Sequence, residues 1–529
     1  MRMRLGVALG ILVGLTAPAL AGPQVRIASG VVEGGSDGGI AAFKGIPFAA
    51  PPVGPLRWRA PRPPAPWDGA RKAVEFGPIC PQPMQSGAQG DIANRLARAE
   101  DCLTLNVWSP DLAAAHKLPV MIWIHGGGFQ AGGSGFPYLS GAELAAKGIV
   151  VVTLNYRLGW LGSFVHPALA AEAPGESSGN LFLLDQIAAL EWVRDNIAGF
   201  GGDPGNVTIL GGSAGGASVN ALMAVPSARG LFHKAIAQSG DGLAPLRDRQ
   251  RAESETLAFA QRQGIHARDA IGLGELRALD PAPFIADQNE YAGFGAFGPV
   301  VDGGFMPDAI ASAFAKGIAA RVPYIAGANS FEASLLPEEY LPVGAIAQGL
   351  GEDIADLRAL YAANGSPEGQ TFVQAFLGDA VFAAPARALA GYVAQTSTPA
   401  WLYRFDYIGV ALRGRQPGAG HGDEIAYIFG LKWWVREAAK RDPSKIFPVA
   451  KKDRAMVETM QAYWTNFAKT GDPNGPPSAG TPRWSRYDSA IDPWLVLDDD
   501  VREERGLRKP LLDRIVHAWS KRTGLPAPR

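Results

Sequence analysis

Short apolar runs alternate with longer amphipathic segments along most of this chain. Residues Leu118–Ile124 and 148–155 are apolar, rich in β-branched side chains and of strand length, so each predicts a buried strand. Leu183, Ile187 and Leu190 recur at helical spacing and predict one face of a helix. The same criteria predict strands at 207–210, Lys234–Gln238, 322–326, Ala400–Phe405 and 494–497, and a helix over 214–225.

This succession of elements predicts the fold class. Strand–helix alternation builds a mostly parallel sheet that is covered by helices, an α/β architecture. In such sheets the reactive residues lie in loops at the carboxyl ends of the strands. Two largely helical stretches, 253–279 and 342–394, are expected to be insertions that cover that face. The pattern has no linker-like interruption, which favours one large domain over residues 22–529.

One serine lies where the pattern changes from strand to helix. Ser213 follows the run 207–210, within the frame Gly211-Gly-Ser-Ala-Gly215. Glycines two residues before and after it let the backbone close into a tight turn, which exposes the hydroxyl near a helix N-terminus. The frame recurs around Ser36 in a hairpin-like context and around Ser177 in a surface-loop context. Because only Ser213 has a strand before it and a helix after it, the sequence predicts Ser213 as a nucleophile.

A serine nucleophile needs a base, usually a histidine, and a carboxylate that orients the histidine. Four histidines follow Ser213 in the chain, and His421 lies in a glycine-rich loop. His517 lies on a terminal amphipathic helix, while His233 and His266 flank helical segments. The loop position favours His421 as the base.

The carboxylate has two candidates. Glu332 follows the predicted strand 322–326 by a few residues, which is a suitable place for the acid in this kind of sheet. Asp302 is the rival, although Asp-Gly more often marks a turn. Asp423 and Glu424 are too close to the histidine in sequence to orient it easily. The residues alone leave both Glu332 and Asp302 open.

A run of glycines follows the predicted strand Leu118–Ile124. In His125-Gly-Gly-Gly-Phe129 the glycines free backbone N–H groups to point at one spot. Two such donors, with the N–H of Ala214 after the nucleophile, would stabilise a tetrahedral oxyanion. A phosphate-binding loop is the alternative, but this segment lacks the Lys-Ser/Thr that a nucleotide site requires. His125 is expected to shape the loop, and the sequence shows no metal-ligand spacing.

Composition and charge narrow the classes of function. The 529 residues carry 49 Lys and Arg against 50 Asp and Glu, with no basic face that would suggest nucleic acid. Residues 1–21 combine Arg2 and Arg4, an apolar run over 5–17 and a small-residue end, which predicts a cleavable signal peptide. We therefore expect a mature protein that begins at Gly22, is periplasmic or secreted, and has no stable membrane insertion.

Export bears on the two cysteines, Cys80 and Cys102. In an oxidising compartment, cysteines this close in sequence are expected to form a disulfide. Closing a loop of about twenty residues would stabilise the fold by roughly 3 kcal/mol. Two buried free thiols are the alternative.

A series of motifs resembles the type-B carboxylesterases, the family of carboxylesterases, cholinesterases and bacterial p-nitrobenzyl esterases. The motifs are Phe43-Lys-Gly-Ile-Pro-Phe48 with Pro51-Pro-Val-Gly54, Glu100-Asp-Cys-Leu-Thr-Leu-Asn-Val107, His125-Gly-Gly-Gly-Phe129, Asp185-Gln186, Phe200-Gly-Gly-Asp-Pro204, the segment around Ser213, Gln238-Ser-Gly240, His421-Gly422 and Thr470-Gly-Asp-Pro473. They span nearly the whole mature chain, and so many in order are not expected by accident. The resemblance implies an α/β-hydrolase fold and a serine esterase that acts on small-molecule esters and needs no cofactor.

The resemblance also assigns roles to the candidate residues. The implied roles are nucleophile for Ser213, acid for Glu332, base for His421, oxyanion donors for Gly127, Gly128 and Ala214, and a gorge-mouth disulfide for Cys80 and Cys102. Glu332 is thereby favoured over Asp302, on resemblance rather than on spacing.

Three residues depart from the family pattern. Gly212 stands where glutamate usually precedes the nucleophile, Phe182 where glycine is common, and Ala333 where glycine often follows the acid. Gly212 removes a negative charge, and the loop 81–101 carries no aromatic residue, so we expect neutral esters to be preferred over choline esters. Aromatic residues that could line an acyl or alcohol pocket, although core packing is the commoner role, are Phe284, Tyr291, Phe294 and Phe297.

Two other functions remain as alternatives. An interfacial lipase would need an apolar lid, and Ile92 and Leu96 could share one face of a short lid helix, although the surrounding segment is otherwise polar and small. Non-catalytic binding or adhesion proteins of this superfamily typically lack a triad residue, whereas this chain keeps all three candidates. The sequence therefore favours ester hydrolysis.

Overall fold

The computed structural model describes residues 22–84, 87–291, 296–367, 369–432, 449–476 and 481–528. The predicted leader 1–21, the aromatic Phe294 and the side chain of Tyr291 lie outside the described residues. The centre of the protein is an eleven-stranded sheet. Its strands are β1 (Gly35–Asp37), β2 (Ile40–Pro47), β3 (Thr104–Ser109), β4 (Leu118–Ile124), β5 (Val150–Leu154), β6 (Gly202–Gly212), β7 (Lys234–Gln238), β8 (Tyr324–Asn329), β9 (Ala400–Phe405), β10 (Pro493–Leu497) and β11 (Arg502–Arg505).

The order of strands across this sheet is β11-β10-β9-β8-β7-β6-β4-β5-β3-β2-β1. Strands β4 to β10 run parallel to one another. The strands at the two edges pair antiparallel. Because parallel strands place their carboxyl ends at one edge, the loops after β4, β6, β7 and β8 meet there. The predicted α/β architecture is confirmed.

Four strands have bounds that differ from the sequence prediction: β5 and β10 by one or two residues at an end, and β6 and β8 by more. Strand β6 begins at Gly202 instead of residue 207, because Gly202 already pairs with Leu118 of β4. Strand β8 begins at Tyr324, directly after Pro323, which lacks the N–H needed for a ladder hydrogen bond. Neither shift moves the carboxyl end of a strand away from the site edge.

Helices surround the sheet. They are α1 (Gly87–Ala93), α2 (Ala142–Ala145), α3 (Gly159–Gly162), α4 (Pro167–Glu172), α5 (Leu181–Asn196), α6 (Ala214–Ala224), α7 (Arg249–Arg262), α8 (Ala270–Ala278), α9 (Ala282–Tyr291), α10 (Ile310–Ala315), α11 (Val343–Leu350), α12 (Ile354–Asn364), α13 (Phe372–Gly378), α14 (Ala384–Gln395), α15 (Asp423–Phe429), α16 (Lys451–Thr470) and α17 (Lys509–Thr523). The predicted helical stretch 253–279 corresponds to α7 and α8, and 342–394 to α11 through α14. Helix α13 packs against the turn Glu332–Leu335.

The core lies on both faces of the sheet, and β4 shows why. Val120, Ile122 and Ile124 belong to one buried cluster, whereas the intervening Met121 and Trp123 belong to the other. Successive strand side chains point to opposite faces, so an uninterrupted apolar run is what a strand covered on both sides requires. Burial on both faces therefore explains why β4 is apolar at successive positions.

One helical stretch of the described chain, Phe372–Gln395, is long and apolar enough to cross a membrane by length and composition alone. It comprises α13, a π-helical turn at Asp379–Ala383 and α14. Within its most apolar window, 72% is buried inside the protein, as expected for a core helix.

A disulfide joins Cys80 to Cys102. The segment between these cysteines contains α1, which includes Ile92 but ends before Leu96. Ile92 is buried in the same apolar cluster as Trp108 instead of facing outward. Ile92 and Leu96 therefore do not form the exposed face of a lid helix.

We predict that a variant with Cys80→Ala and Cys102→Ala loses about 3 kcal/mol of unfolding free energy, because the bridge restricts a 22-residue loop of the unfolded chain. Urea unfolding without reductant measures the loss, and adding reductant should leave the variant unchanged. Two thiols that react in the denatured, unreduced wild-type protein would contradict the prediction.

Candidate active site

The turn between β6 and α6 holds Ser213 in a strained backbone conformation. Its φ is +59° and its ψ is −126°, in a region that costs a non-glycine residue about 1–3 kcal/mol. The Ser213 N–H donates to the carbonyl of Gln238 at 2.9 Å, and its own carbonyl accepts from the N–H of Ala217 at 2.9 Å. These two hydrogen bonds therefore attach the turn to the end of β7 and to the first turn of α6.

The glycines of the Ser213 frame are required by close contacts. A Cβ on Gly215 would lie 2.1 Å from the carbonyl oxygen of Ile124, and a Cβ on Gly211 would lie 2.5 Å from the carbonyl carbon of Gly215. Contacts this short cannot form, so side chains at these positions would push α6 away from β4. The G-x-S-x-G pattern is a packing requirement at this turn.

The other two copies of the frame have different surroundings. Ser36 lies within the short hairpin strand β1. The hydroxyl of Ser177 donates to Oδ2 of Asp302 at 2.5 Å, and Asn180 donates to the same oxygen at 3.3 Å. Asp302, the rival acid, thus binds a loop serine and an asparagine instead of a histidine.

Glu332 and His421 form a close buried pair. Nδ1 of His421 lies 2.5 Å from Oε2 of Glu332, whose side chain is 1% exposed. The second carboxylate oxygen accepts from the hydroxyl of Ser239 at 2.6 Å and from the N–H of Asn329 at 2.6 Å. Hydrogen bonds to a carboxylate stabilise its charged form, so this carboxylate can orient the imidazole and balance its positive charge.

The other ring nitrogen of His421, Nε2, is buried without a hydrogen-bond partner in the described part of the chain. The ring packs against Phe382, with 5.0 Å between the ring centres. Ile425 lies between this loop and the Ser213 turn, because its Cδ1 would be 3.3 Å from a Cβ on Gly212 and 3.6 Å from a Cβ on Gly422. The unpartnered nitrogen and the serine thus belong to adjacent loops.

The charge environment of His421 favours the protonated ring. Burial alone lowers the pKa of the imidazole, but the charge and hydrogen bond of Glu332, helped by the charges of Glu424 and Asp423, raise its pKa above the ordinary value. A base with a raised pKa accepts a proton readily, although it is available only at a pH where the ring is neutral.

A second buried carboxylate, Glu424, lies beside the pair. Its two oxygens accept from Nε2 of Gln238 at 3.0 Å and from Nδ2 of Asn329 at 2.5 Å. Burial raises the pKa of Glu424 to about 7. Asn329 also donates to the carbonyl of Gly420 at 2.7 Å, so Asn329 and Glu424 together hold the loop that carries His421.

The glycine run after β4 approaches Ser213 closely. A Cβ on Gly126 would lie 2.6 Å from the carbonyl oxygen of Gly212 and 3.0 Å from Cβ of Ser213. Gly127 and Gly128 have φ values of +110° and +62°, and their N–H groups find no hydrogen-bond acceptor among the described residues. Two unused donors thus lie next to the serine, where an oxyanion would form.

The histidine at the start of this glycine run is structural. His125 is buried, stacks on Tyr156 at 4.2 Å, and places Nδ1 2.8 Å from the carbonyl oxygen of Gly126. Burial lowers its pKa to about 4, so the ring is neutral near pH 7. The Tyr156 hydroxyl donates to the His125 carbonyl at 2.7 Å. These contacts hold the start of the loop.

The remaining sequence candidates lie elsewhere. His266 and His517 are exposed, and Nδ1 of His233 accepts from the N–H of Val207 at 3.2 Å. Phe284 and Phe297 are buried and pack against Trp58 and Trp160, respectively, in an aromatic core.

Sequence reasoning gave no role to Ser239 or Glu424. Ser239 belongs to the Gln238-Ser-Gly240 motif and has a positive φ of 46°, but its contact with Glu332 depends on how β7 lies beside β8. Nearness in sequence to His421 argues against Glu424 as the acid that orients the imidazole. In the structure Glu424 binds Gln238 and Asn329 instead of the imidazole. The signal that the sequence offers for Ser239 is the polar motif Gln238-Ser-Gly240, which comes at the end of the apolar strand β7.

A model of the carboxylesterase family matches residues 21–360 and 355–514. The chain belongs to the carboxylesterase family. It is 36% identical over 474 residues to fumonisin B1 esterase of Sphingopyxis macrogoltabida, covering 87% of this chain and 84% of that protein. It is also 36% identical over 504 residues to para-nitrobenzyl esterase of Bacillus subtilis, covering 90% and 94%.

Solved carboxylesterase structures have the same fold. A PNB esterase superposes with a TM-score of 0.79 at 34% identity, over 93% of this chain and 99% of that one. A carboxylesterase of Geobacillus stearothermophilus gives a TM-score of 0.78 at 31% identity, over 94% and 99%. The protein therefore has the α/β-hydrolase fold and is a carboxylic ester hydrolase.

The raised pKa of His421 gives a testable pH dependence. If the neutral ring is the base, kcat/KM of this esterase should rise with pH along a limb whose midpoint lies above the ordinary histidine value of about 6.5. Replacing Glu332 with Gln removes the main charge that raises this pKa, so the limb should move to lower pH. The residual rate should fall by roughly a thousandfold or more.

The control for this prediction is Asp302→Asn, which changes the rival carboxylate. It should leave both the limb and the rate near wild type. A limb that moves in Asp302→Asn and stays in place in Glu332→Gln would show that the acid has been assigned to the wrong residue.

Proposed function

We propose that the protein is an exported serine carboxylesterase that hydrolyses neutral esters through Ser213, His421 and Glu332. The observation that supports this most strongly is the state of His421. One ring nitrogen is bound to a buried carboxylate, and the other is unpartnered in the loop next to a strained serine. This is the arrangement that a general base for serine requires.

In the first half of the reaction, Nε2 of His421 takes the proton of the Ser213 hydroxyl as its oxygen attacks the ester carbonyl. The resulting oxyanion accepts hydrogen bonds from the N–H groups of Gly127, Gly128 and Ala214. His421 then gives the proton to the departing alcohol, which leaves an acyl-enzyme on Ser213. Glu332 stabilises the imidazolium throughout.

In the second half, water replaces the alcohol. His421 takes a proton from the water as it attacks the acyl carbonyl, and the same N–H groups bind the second oxyanion. The tetrahedral intermediate collapses, Ser213 regains its proton from His421, and the carboxylic acid leaves. Each proton moves through one nitrogen, so no cofactor is required.

Neutral esters are the proposed substrates because the features that would bind a cation are missing from the sequence. Gly212 supplies no carboxylate beside the nucleophile, and the disulfide loop 81–101 contains no aromatic side chain to lie against an ammonium group. Two of the relatives are named fumonisin B1 esterase and para-nitrobenzyl esterase, which supports ester hydrolysis. The proposed preference for neutral esters is based on Gly212 and the disulfide loop of this chain.

Export and a periplasmic or extracellular location are part of the proposal. They are supported by the signal-peptide pattern of residues 1–21 and by the Cys80–Cys102 disulfide, a bond that persists in oxidising compartments. The proposed mature protein begins at Gly22.

The nucleophile and base assignments predict large losses of activity. Ser213→Ala and His421→Ala should each lower kcat on p-nitrophenyl butyrate by on the order of a thousandfold or more. Ser177→Ala, in a second G-x-S-x-G frame, is the matched control and should keep near-normal turnover. Near-normal turnover by purified Ser213→Ala protein would disprove the mechanism.

The substrate proposal can be tested with an isosteric pair. Butyrylcholine and 3,3-dimethylbutyl butyrate share their shape and differ in the charge of the alcohol group. We expect the neutral ester to have a kcat/KM at least about tenfold higher, a difference of about 1.4 kcal/mol, because no carboxylate or aromatic face compensates the ammonium group for its loss of water. Equal or faster turnover of the choline ester under identical conditions would refute the preference.

A further inference from the structure

Phe182, one of the departures from the family pattern, lies close to the glycine run that carries the proposed oxyanion donors. It belongs to the first turn of α5 and is fully buried. Its ring lies 4.8 Å from the ring of Phe129, centre to centre, at an angle of 43°. Phe129 directly follows Gly128, so Phe182 is one side chain away from the donors.

Phe129 needs support from its neighbours because its backbone is strained. Its φ is +59°, a left-handed value that is unfavourable for a bulky side chain. Such a conformation persists only where the surrounding structure holds it. Phe129 is 6% exposed, and its carbonyl accepts from the N–H of Gly159 at 2.8 Å.

Phe182 is the aromatic neighbour of the Phe129 ring. Gly298 also lies nearby, since a Cβ at that position would be 3.9 Å from Cδ2 and Cε2 of Phe129. A smaller side chain at 182 would leave a void on the α5 side, into which the Phe129 ring could turn while its φ relaxes. That relaxation would also move the N–H groups of Gln130 and Ala131, which bind the Gly127 carbonyl and so hold the peptide plane that carries the Gly128 N–H.

Hydrogen bonds close the turn that contains Phe129 and hold the loop on either side of it. The Gly127 carbonyl accepts from the N–H groups of Gln130 and Ala131, each at 3.0 Å, and the Gln130 carbonyl accepts from Nε2 of Gln288 at 2.9 Å. Upstream, His125 stacks on Tyr156. Between these anchors, the ring contact of Phe182 acts on the side chain that adjoins Gly128.

We propose that Phe182 is a positioning residue for ester hydrolysis, which acts through Phe129 to keep the N–H groups of Gly127 and Gly128 aimed at the oxyanion. This rests on the proposed function of the glycine run. An oxyanion donor is effective only when it lies within about 3 Å of the developing charge. A misplacement of about 1 Å can cost up to a hundredfold in rate. Phe182 therefore affects the transition state more than substrate binding.

The test compares Phe182→Leu with Phe200→Leu in the full mature chain. Phe200 is also fully buried in an aromatic cluster, against Phe43 and Trp192, just after the far end of α5. Both changes remove a core ring, so they should lower the thermal unfolding temperature to a similar extent. We expect Phe182→Leu to lower kcat on p-nitrophenyl butyrate at least tenfold with KM within threefold of wild type. Phe200→Leu should keep kcat within twofold.

A second readout isolates the oxyanion. A trifluoromethyl ketone forms a tetrahedral adduct with the serine, so its affinity should fall in Phe182→Leu by about the same factor as kcat. If Phe182→Leu does not fold, Phe182→Met, which keeps most of the volume without the ring, replaces it with the same criteria.

Three outcomes would overturn the proposal. They are an unchanged kcat, a change in KM alone, or an equal loss of kcat in Phe200→Leu well below both unfolding temperatures. Ser213→Ala is measured alongside, because retained activity in that variant rejects the serine mechanism itself, whatever Phe182 does.

Discussion

The site depends on how closely three strand ends approach one another at Ser213. The backbone at the end of β4 leaves no room for a side chain at Gly215, and the Gly212 carbonyl leaves none at Gly126. The N–H of Ser213 is bonded to the end of β7. These contacts hold a φ of +59° that the serine would otherwise leave. Ser213 and the glycine loop beside it therefore form one packed unit, and a change in either displaces the other.

The second organising feature is the buried carboxylate of Glu332. An isolated carboxylate in this position would be costly to bury, and three elements supply its partners: Ser239 after β7, Asn329 at the end of β8, and His421 from a distant loop. Each partner comes from a different element, so the carboxylate is satisfied only when all of them are in place. Assembly of the acid–base pair is thus coupled to completion of the sheet.

The features that the sequence predicted are those that depend on neighbouring residues in the chain. Apolar runs of strand length reflect strands that are buried on both faces. Ser213 stands out because a strand precedes it and a helix follows it. The acid could not be chosen by spacing, since Glu332 follows β8 and Asp302 follows the two-residue strand Val300–Val301. Only the tertiary structure shows that Asp302 is bound to Ser177. Glu424 was missed for the same reason, because its partners come from strands far away in sequence.

The position just before the nucleophile constrains how this protein could evolve. A side chain at Gly212 would begin 3.3 Å from Ile425, 3.4 Å from Trp123 and 3.7 Å from an oxygen of Glu424, whose pKa is already about 7. A new carboxylate there would face a neighbour of like charge, and one of the two would keep a proton near neutral pH. A single mutation to glutamate would thus add less than one full negative charge. The negative charge beside Ser213 is therefore set by residues 212 and 424 together, and a glutamate gained at 212 would add charge only as far as Glu424 took up a proton.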